Sequence, residues 1–211
     1  MNISLILSCG SSNRFGSDLP KQYHNICGKQ VIAYTVDAMK SSRTTDLIII
    51  VSGEKHVSEL TQNYETEVIV GGKTRNESLR TGLDFIKKNF SSCEKILINE
   101  AARPFITATI VDEYFALLDN YDAVITAQHI TDSLGRNGEH QTDRSEYYLV
   151  QAPEAFRFSL LEKHFMADSP VTATNQQLPF GSFVYRNFDF RSNFKITYIE
   201  DLAIAEQLMR G

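Results

Sequence analysis

The chain has 211 residues, of which 42% are hydrophobic and 22% are charged, and its formal net charge is −5. This length and composition predict one globular domain over residues 1–211 and exclude a disordered or fibrous protein. The acidic balance argues against a general nucleic-acid surface. No stretch approaches the roughly 18 apolar residues of a membrane span. The three cysteines and five histidines form no disulfide or metal-ligand motif, so we expect a reduced, cytoplasmic protein with neither a nucleic-acid nor a membrane partner.

Short apolar runs alternate with helical patterns along the chain. The runs that predict strands are residues 3–8, 46–52, 67–70, 95–99 and 122–128. Apolar residues at helical spacing predict helices at 30–40 and 75–90. The alternation predicts an α/β fold, a Rossmann-like and mostly parallel sheet with helices on both faces. Ligands of such folds bind beyond the carboxyl ends of the strands.

Two helix starts carry the pattern of a capping box. Thr74 is followed three residues later by Glu77, and Thr197 is followed in the same way by Glu200, before the apolar residues of 202–209. In this motif the two side chains satisfy backbone donors that the first helical turn leaves without partners. We therefore expect both pairs to cap helices.

The loop after the first predicted strand combines small residues with two cations, Arg14 and Lys21. Small side chains let backbone N–H groups approach an anion, and the cations neutralise its charge. An ordinary strand-to-helix turn is the alternative, and the loop alone does not decide between them. An acidic chain that binds an anion must gather its cations locally, and the candidates are Arg14, Lys21, Arg75, Arg103, Arg144 and Lys195.

The segment 130–146 interrupts the alternation, because it is polar, rich in turn residues and centred on Gly135 to Gly138. It resembles the turn of a hairpin and predicts a projecting two-stranded β-arm. A ribbon of two strands is seldom stable alone, so a second copy of the protein is the economical partner. We expect a homodimer formed through this arm, with a surface loop as the alternative.

Motifs along nearly the whole chain, from about residue 3 to residue 209, occur in the order and approximate spacing of one family. They are Ser8-Cys9-Gly10-Ser11-Ser12-Asn13-Arg14, Pro20-Lys21-Gln22, Gly71-Gly72, Ser78, Glu100-Ala101-Ala102-Arg103-Pro104, Asp132-Ser133, Asp143-Arg144, Gln151-Ala152-Pro153, Asn193-Phe194-Lys195-Ile196-Thr197 and Glu200-Asp201-Leu202. In these motifs the chain resembles the 2-C-methyl-D-erythritol 4-phosphate cytidylyltransferases and their relatives, the ribitol-5-phosphate cytidylyltransferases.

The resemblance implies an enzyme that joins CMP from CTP to a polyol phosphate, with Mg²⁺ as cofactor and release of pyrophosphate. The default acceptor is 2-C-methyl-D-erythritol 4-phosphate, for isoprenoid precursors. Ribitol 5-phosphate or another polyol phosphate for surface polysaccharide remains an alternative acceptor. A relative that binds nucleotide without turnover and a nucleotidyltransferase that takes UTP also remain open. Such chemistry depends mainly on positioning and charge neutralisation.

The resemblance also implies roles for individual residues. Arg14, Lys21 and Lys195 would be catalytic, and Glu100 would approach the metal. The implied nucleotide-binding residues are Ser8, Cys9, Gly10, Ser11, Ser12, Asn13, Gly72, Ser78 and Arg103. The implied acceptor-binding residues are Ser133, Arg144, Thr174 and Lys195. Ser133 and Arg144 lie in the arm and would act in the active site of the partner subunit.

The sequence departs from the family pattern at several positions. Ser12 replaces a glycine and has less backbone freedom, so we expect weaker CTP binding or a shifted pose. Glu100 stands in place of an aspartate, which could shift the metal geometry. Asn175 and Gln176 replace two acids and remove negative charge beside the acceptor pocket, which hints at a different acceptor. Lys73 adds a cation near the expected base pocket.

Overall fold

A computed structural model describes residues 1–10, 14–135, 137–138 and 142–211. The strands are β1 (Asn2–Ser8), β2 (Asn25–Ile26), β3 (Lys29–Gln30), β4 (Leu47–Ser52), β5 (Glu67–Val70), β6 (Lys95–Glu100), β7 (Ala123–His129), β8 (Tyr148–Arg157) and β9 (Val184–Asn187). The α-helices are α1 (Val31–Lys40), α2 (Val57–Tyr64), α3 (Arg75–Asn89), α4 (Ala108–Leu117), α5 (Phe158–His164) and α6 (Asp201–Arg210). Short 3₁₀ helices occupy Lys21–Tyr23, Glu54–His56, Arg144–Glu146 and Thr174–Gln177.

Seven strands form one sheet in the order β5-β4-β1-β6-β8-β7-β9, and β2 and β3 pair separately. Strands β4 and β6 flank β1 in parallel, and β5 is parallel to β4. Strand β8 runs antiparallel to both of its neighbours, and β9 is parallel to β7. The sheet is therefore mostly parallel, as the alternation predicted, with β8 as the opposed strand.

Helices cover both faces of this sheet. Successive side chains of a strand point to opposite faces, and in β1 both faces are buried. Ile6 packs in one cluster with residues of α1 and α4, such as Val36. Leu5 packs in the other cluster with residues of α3, such as Leu83. The runs that became β1, β4 and β6 are apolar because these strands are covered on both sides, whereas the edge strand β5 is partly exposed.

The two predicted capping boxes have different outcomes. Thr74 caps α3 as expected, because its side chain accepts from the backbone N–H of Glu77 at 3.1 Å and Glu77 accepts from Thr74 in return. The second prediction is wrong, since α6 begins at Asp201 and Glu200 makes no side-chain cap bond. Instead, Asp201 Oδ2 accepts from the backbone N–H groups of Thr197 and Tyr198 at 2.7 and 2.9 Å. The acid of the first turn thus binds the donors that precede the helix.

Several elements were not predicted from the sequence, namely α2, α4, α5, β8 and β9. Helix α2 buries only Leu60, so its apolar signal is weak. Strand β8 carries Glu154, which is buried at 2% exposure inside an otherwise apolar stretch. A buried charge of this kind conceals a strand, because the pattern assumes that buried positions are apolar.

The segment 130–146 lies between β7 and β8, which pair antiparallel as far as His129 and Tyr148. The paired strands β7 and β8 therefore flank the predicted arm. Within the described residues of 130–146, the regular element is the 3₁₀ helix Arg144–Glu146. Residues 136 and 139–141 lie outside the described residues. Dimerisation through this segment stays a prediction. No helix in the described part of the chain is long and apolar enough to cross a membrane.

Candidate active site

A cavity of about 380 Å³ opens at the carboxyl edge of the parallel strands. Its walls include the end of β1 with Ser8, the end of β6 with Glu100, and the first turn of α3 with Arg75. These three elements meet because β1 and β6 are adjacent parallel strands and α3 packs against β1. The cavity lies where the fold class places its ligands.

Most of the predicted site residues that the structure describes line this cavity. They are Ser8, Cys9, Gly10, Arg14, Lys21, Ser78, Glu100 and Lys195. Ser11, Ser12 and Asn13 lie outside the described residues. The cavity walls also contain Arg75, a predicted candidate for anion binding, and Lys73, which was expected near the base pocket. Other lining residues had no predicted role in the site, among them Gln22, Thr74 and Thr197. The structure therefore brings cations from distant parts of the sequence together.

The short 3₁₀ turn Lys21–Tyr23 fixes the end of β1 through hydrogen bonds. Gln22 is buried, and its Nε2 donates to the carbonyl oxygens of Ser8 at 2.7 Å and Gly10 at 3.4 Å. The hydroxyls of Ser8 and Tyr23 are 3.0 Å apart. These bonds fix the strand end and leave Lys21, at the start of the same turn, on the cavity wall.

Two glycines make a second wall of the cavity possible. A Cβ added to Gly71 would lie 2.2 Å from Cys9 Sγ, and one added to Gly72 would lie 2.3 Å from Glu77 Cβ. Gly72 does not itself line the cavity; its carbonyl accepts from Ser78 Oγ at 3.2 Å. Gly72 therefore acts by letting the chain approach α3 closely.

Glu100 lies among three cations. Its Oε2 is 2.7 Å from Lys195 Nζ and 3.2 Å from Arg103 Nε, and its Oε1 is 3.6 Å from Arg75 Nε. Burial by itself would raise the pKa of Glu100, but Lys195 and the two arginines lower the pKa to about 2. The carboxylate is therefore ionised at neutral pH.

Lys21 lies in a region that is crowded with positive charge. The pKa of Lys21 is lowered to about 8, mainly by burial and also by the nearby charges of Lys195, Arg14 and Arg103, against the opposing effect of Glu100. A bound polyanion would relieve this repulsion. Five described side chains that line the cavity are cationic, against one carboxylate, so the cavity has the charge that a triphosphate requires.

Arg103 does not line this cavity but contacts Glu100, which does. It is 7% exposed, and its Nη1 donates to the carbonyl of Asn193 at 3.0 Å. It thereby ties the loop after β6 to the segment that carries Lys195. The sequence predicted a nucleotide-binding role for Arg103, and its contacts fit the ordering of Glu100 better.

A second cavity of about 370 Å³ adjoins the first and shares Lys195 with it. Arg103 and Arg191 are further cations on its wall. Gln151 Nε2 donates to Gln128 Oε1 at 2.6 Å, and Asn193 Nδ2 donates to Gln151 Oε1 at 2.8 Å. This amide chain and the three cations offer partners for hydroxyl groups and a phosphate.

The predicted acceptor residues do not gather within one chain. Ser133 and Arg144 are exposed and line neither cavity. Thr174 is fully buried and accepts from Arg75 Nη1 at 3.2 Å, so in this structure it positions Arg75. Lys195 lines both cavities from a segment, residues 193–198, without helix or strand. The next residue, Ile196, is buried in a core cluster and fixes this segment.

The residues present fit a magnesium ion that arrives with its nucleotide. Among the described residues, no group of three His, Cys, Asp or Glu side chains could hold a metal alone. Mg²⁺ is commonly bound through one or two carboxylates together with substrate phosphates. Glu100 supplies one ionised carboxylate on the wall of a cationic cavity. Glu100 together with a triphosphate would therefore form the site.

Comparisons with known proteins agree with this geometry. A family model described as 2-C-methyl-D-erythritol 4-phosphate cytidylyltransferase matches residues 3–211. A protein of that name from Clostridium acetobutylicum is 30% identical over 228 residues, covering 100% of this chain and 98% of the relative. One from Clostridium botulinum is 28% identical, covering 99% and 97%.

A solved structure shares the fold. The 4-diphosphocytidyl-2C-methyl-D-erythritol synthase of Anaerococcus prevotii superposes with a TM-score of 0.83 at 23% identity, covering 100% of this chain and 96% of that one. The fold, the cationic cavity and the match along almost the whole chain lead to one assignment. The chain belongs to the 2-C-methyl-D-erythritol 4-phosphate cytidylyltransferase family, whose members are nucleotidyltransferases.

Proposed function

We propose that this protein transfers CMP from CTP to 2-C-methyl-D-erythritol 4-phosphate and releases pyrophosphate, in isoprenoid precursor synthesis. The observation that carries the proposal is the convergence of five cationic side chains and Glu100 at the carboxyl edge of the sheet. The match to the family over residues 3–211 supports the identity of both substrates.

The chemical step is a displacement at the α-phosphorus of CTP. An oxygen of the acceptor phosphate forms a new P–O bond, the bond to the β-phosphate breaks, and pyrophosphate leaves with the negative charge. Arg14 and Lys21 lie on the wall where they would neutralise the charge that grows on the triphosphate. Lys195, shared by both cavities, would hold the two substrates together.

We assign Mg²⁺ to Glu100 and the nucleotide phosphates. When bound, the ion would supply Lewis-acid polarisation of the phosphoryl oxygens. The chain's part is to keep Glu100 ionised, which Lys195, Arg103 and Arg75 accomplish. Because Lys195 is paired with Glu100 at 2.7 Å, it would exchange this partner for a phosphate as the substrates bind.

The second cavity is the proposed place for the polyol chain of the acceptor, because its amides can bind hydroxyl groups. Ser133 and Arg144 would complete this site from the partner subunit of a homodimer, since their exposed positions leave them available to another chain. Three free cysteines are compatible with a cytoplasmic location.

The test is pyrophosphate release from CTP with a panel of acceptors. We expect release with 2-C-methyl-D-erythritol 4-phosphate and Mg²⁺, and much less with ribitol 5-phosphate or with UTP in place of CTP. Thermal stabilisation by each nucleotide measures binding separately, because a ligand of the folded state raises its stability. Binding of CTP without release from any acceptor would refute the proposal and favour a non-catalytic relative.

A further inference from the structure

Arg75 contacts two carboxylates and two oxygen atoms of the segment 172–174. It is the first residue of α3 and lines the nucleotide cavity with 27% of its side chain exposed. Its Nη2 lies 3.1 Å from Glu154 Oε1, and its Nη1 donates to Thr172 O and Thr174 Oγ1, each at 3.2 Å. Its Nε faces Glu100 Oε1 at 3.6 Å. The planar guanidinium is therefore fixed on three sides.

Glu154 is the anchor of this arrangement. Its side chain is 2% exposed, and its Oε2 accepts from the backbone N–H of Asn175 at 3.3 Å. Thr174, which accepts from Arg75, also bonds to the Glu154 carboxylate. A buried carboxylate is costly unless it is paired and hydrogen-bonded. Glu154 is paired with Arg75, which lines the active-site cavity, so this buried carboxylate holds an active-site side chain in place.

Arg75 connects Glu154 with Glu100 in the active site. The Oε2 of Glu100 is already shared by Lys195 and Arg103, whereas its Oε1 faces Arg75 alone among the ion pairs described. At 3.6 Å the Arg75 contact orients Oε1 without occupying its lone pairs fully. Oε1 is thus the oxygen that is free to ligate a metal while Arg75 and Arg103 hold the carboxylate from two sides.

We propose that Arg75 is a positioning residue, anchored by Glu154, that aims Glu100 Oε1 at the metal carried by the nucleotide. The inference rests on the proposed function. It assigns a task to Glu154, which touches neither substrate cavity. It also links the segment 172–175 to the nucleotide site through Arg75.

The primary test is metal binding rather than turnover. Mn²⁺ is titrated into the protein with a non-hydrolysable CTP analogue and followed by its electron paramagnetic resonance signal. Arg75→Gln should weaken Mn²⁺ binding roughly 10- to 100-fold, the usual effect of losing a group that orients a metal ligand. Binding of the analogue without metal should weaken clearly less than Mn²⁺ binding, because Arg75 is one of five described cations on the cavity wall but acts on the metal through Glu100.

Arg80→Gln is the matched control. Arg80 is on the same helix, has 22% side-chain exposure and pairs with Asp84 and Glu162 away from the cavity. Its loss should leave Mn²⁺ binding unchanged. If Arg75→Gln behaves like Arg80→Gln, the proposal is overturned. It is also overturned if metal-free binding of the analogue weakens as much as Mn²⁺ binding, since Arg75 would then be a direct nucleotide ligand.

A double-mutant cycle tests the anchor. Glu154→Gln should weaken Mn²⁺ binding, and Arg75→Gln with Glu154→Gln should be no weaker than Arg75→Gln alone, because Glu154 acts only through Arg75. Additive effects would contradict the mechanism. Should Arg75→Gln fail to fold, Arg75→Lys replaces it, since a lysine keeps the charge but cannot contact both carboxylates in one plane. Normal wild-type turnover with normal Mn²⁺ binding in the variants would refute this inference and leave the proposed function intact.

Discussion

The nucleotide cavity and the segment 130–146 differ in how much of a site one chain supplies. Arg14, Lys21 and Lys195 line the same cavity as Glu100 within a single subunit. In the segment, Ser133 and Arg144 are exposed and face neither cavity. A single folded chain therefore supplies the cations proposed to bind the nucleotide, whereas the proposed contacts of Ser133 and Arg144 with the acceptor require a second chain. Each prediction below tests one side of this difference.

The largest effect is expected from Lys21→Ala. Lys21 would act on charge that grows during transfer, so its loss should lower kcat roughly 10²- to 10³-fold, with a much smaller effect on CTP binding. Steady-state kinetics and calorimetric titration of CTP measure the two quantities. Lys88→Ala, at an exposed position of α3, is the control. An unchanged kcat would remove Lys21 from the mechanism.

Arg144→Ala tests the segment outside the cavity. Loss of a charge-assisted bond to the acceptor phosphate should raise KM for the acceptor roughly tenfold or more, with KM for CTP unchanged. Mixing Arg144→Ala subunits with Lys21→Ala subunits should restore part of the activity, because one site of the mixed dimer is intact. The absence of any recovery would count against a site shared between subunits.

Gly71→Ala tests the wall of the cavity inside one chain. The new Cβ would lie 2.2 Å from Cys9 Sγ, so the wall must shift and KM for CTP should rise roughly tenfold. Combining it with Cys9→Ala should recover part of the loss, since Val51 Cγ1 at 2.7 Å remains in the way. Gly53→Ala, where a Cβ meets nothing within 4 Å, should behave as wild type. No difference between the two glycine variants would contradict the close-packed wall.

The smallest effect is expected from pH. The pKa of Lys21 is about 8 rather than its ordinary 10.5, so the free protein loses this positive charge as the pH rises through about 8. The value of kcat/KM for CTP should fall about threefold between about pH 7.5 and pH 8.5. The ordinary pKa of a lysine, 10.5, applies to the unfolded chain. Between about pH 8 and about pH 10.5 the unfolded chain therefore binds more protons than the folded one, so Lys21 makes the free energy of unfolding rise with pH. Lys21→Gln should abolish both dependences; their persistence would mean that another group titrates.

Most of the strands that were predicted correctly are buried on both faces. The runs that became β1, β4, β6 and the first part of β7 are apolar because neither face meets water there. Strand β5 lies at the edge of the sheet and is partly exposed, and its short apolar run was sufficient to predict it. Strand β8 was missed because Glu154 interrupts its pattern, and its burial depends on Arg75, a residue 79 positions away. Local pattern cannot register a charge whose partner comes from another element.

The site was predicted in part for the same reason. The small residues after β1 and the sequence Pro20-Lys21-Gln22 signalled an anion loop, and the order of motifs connected it with Glu100 and Lys195. The nucleotide-binding role implied for Arg103 and the acceptor-binding role implied for Thr174 stay predictions. In this structure both side chains are buried, and they contact Glu100 and Arg75. Whether a polar side chain faces a cavity or the interior depends on packing that spacing does not encode.

By itself, the sequence determined the alternation of buried strands and helices, the residues available to bind an anion, and the family. Those properties depend on residue type and order, which a chain carries before it folds. The tertiary structure alone decided which charges are neighbours: Glu100 lies among three cations, Glu154 is paired with Arg75, and Arg144 lines neither cavity. Electrostatic energy depends on distances and on the exclusion of water, and both are set only when distant segments pack together.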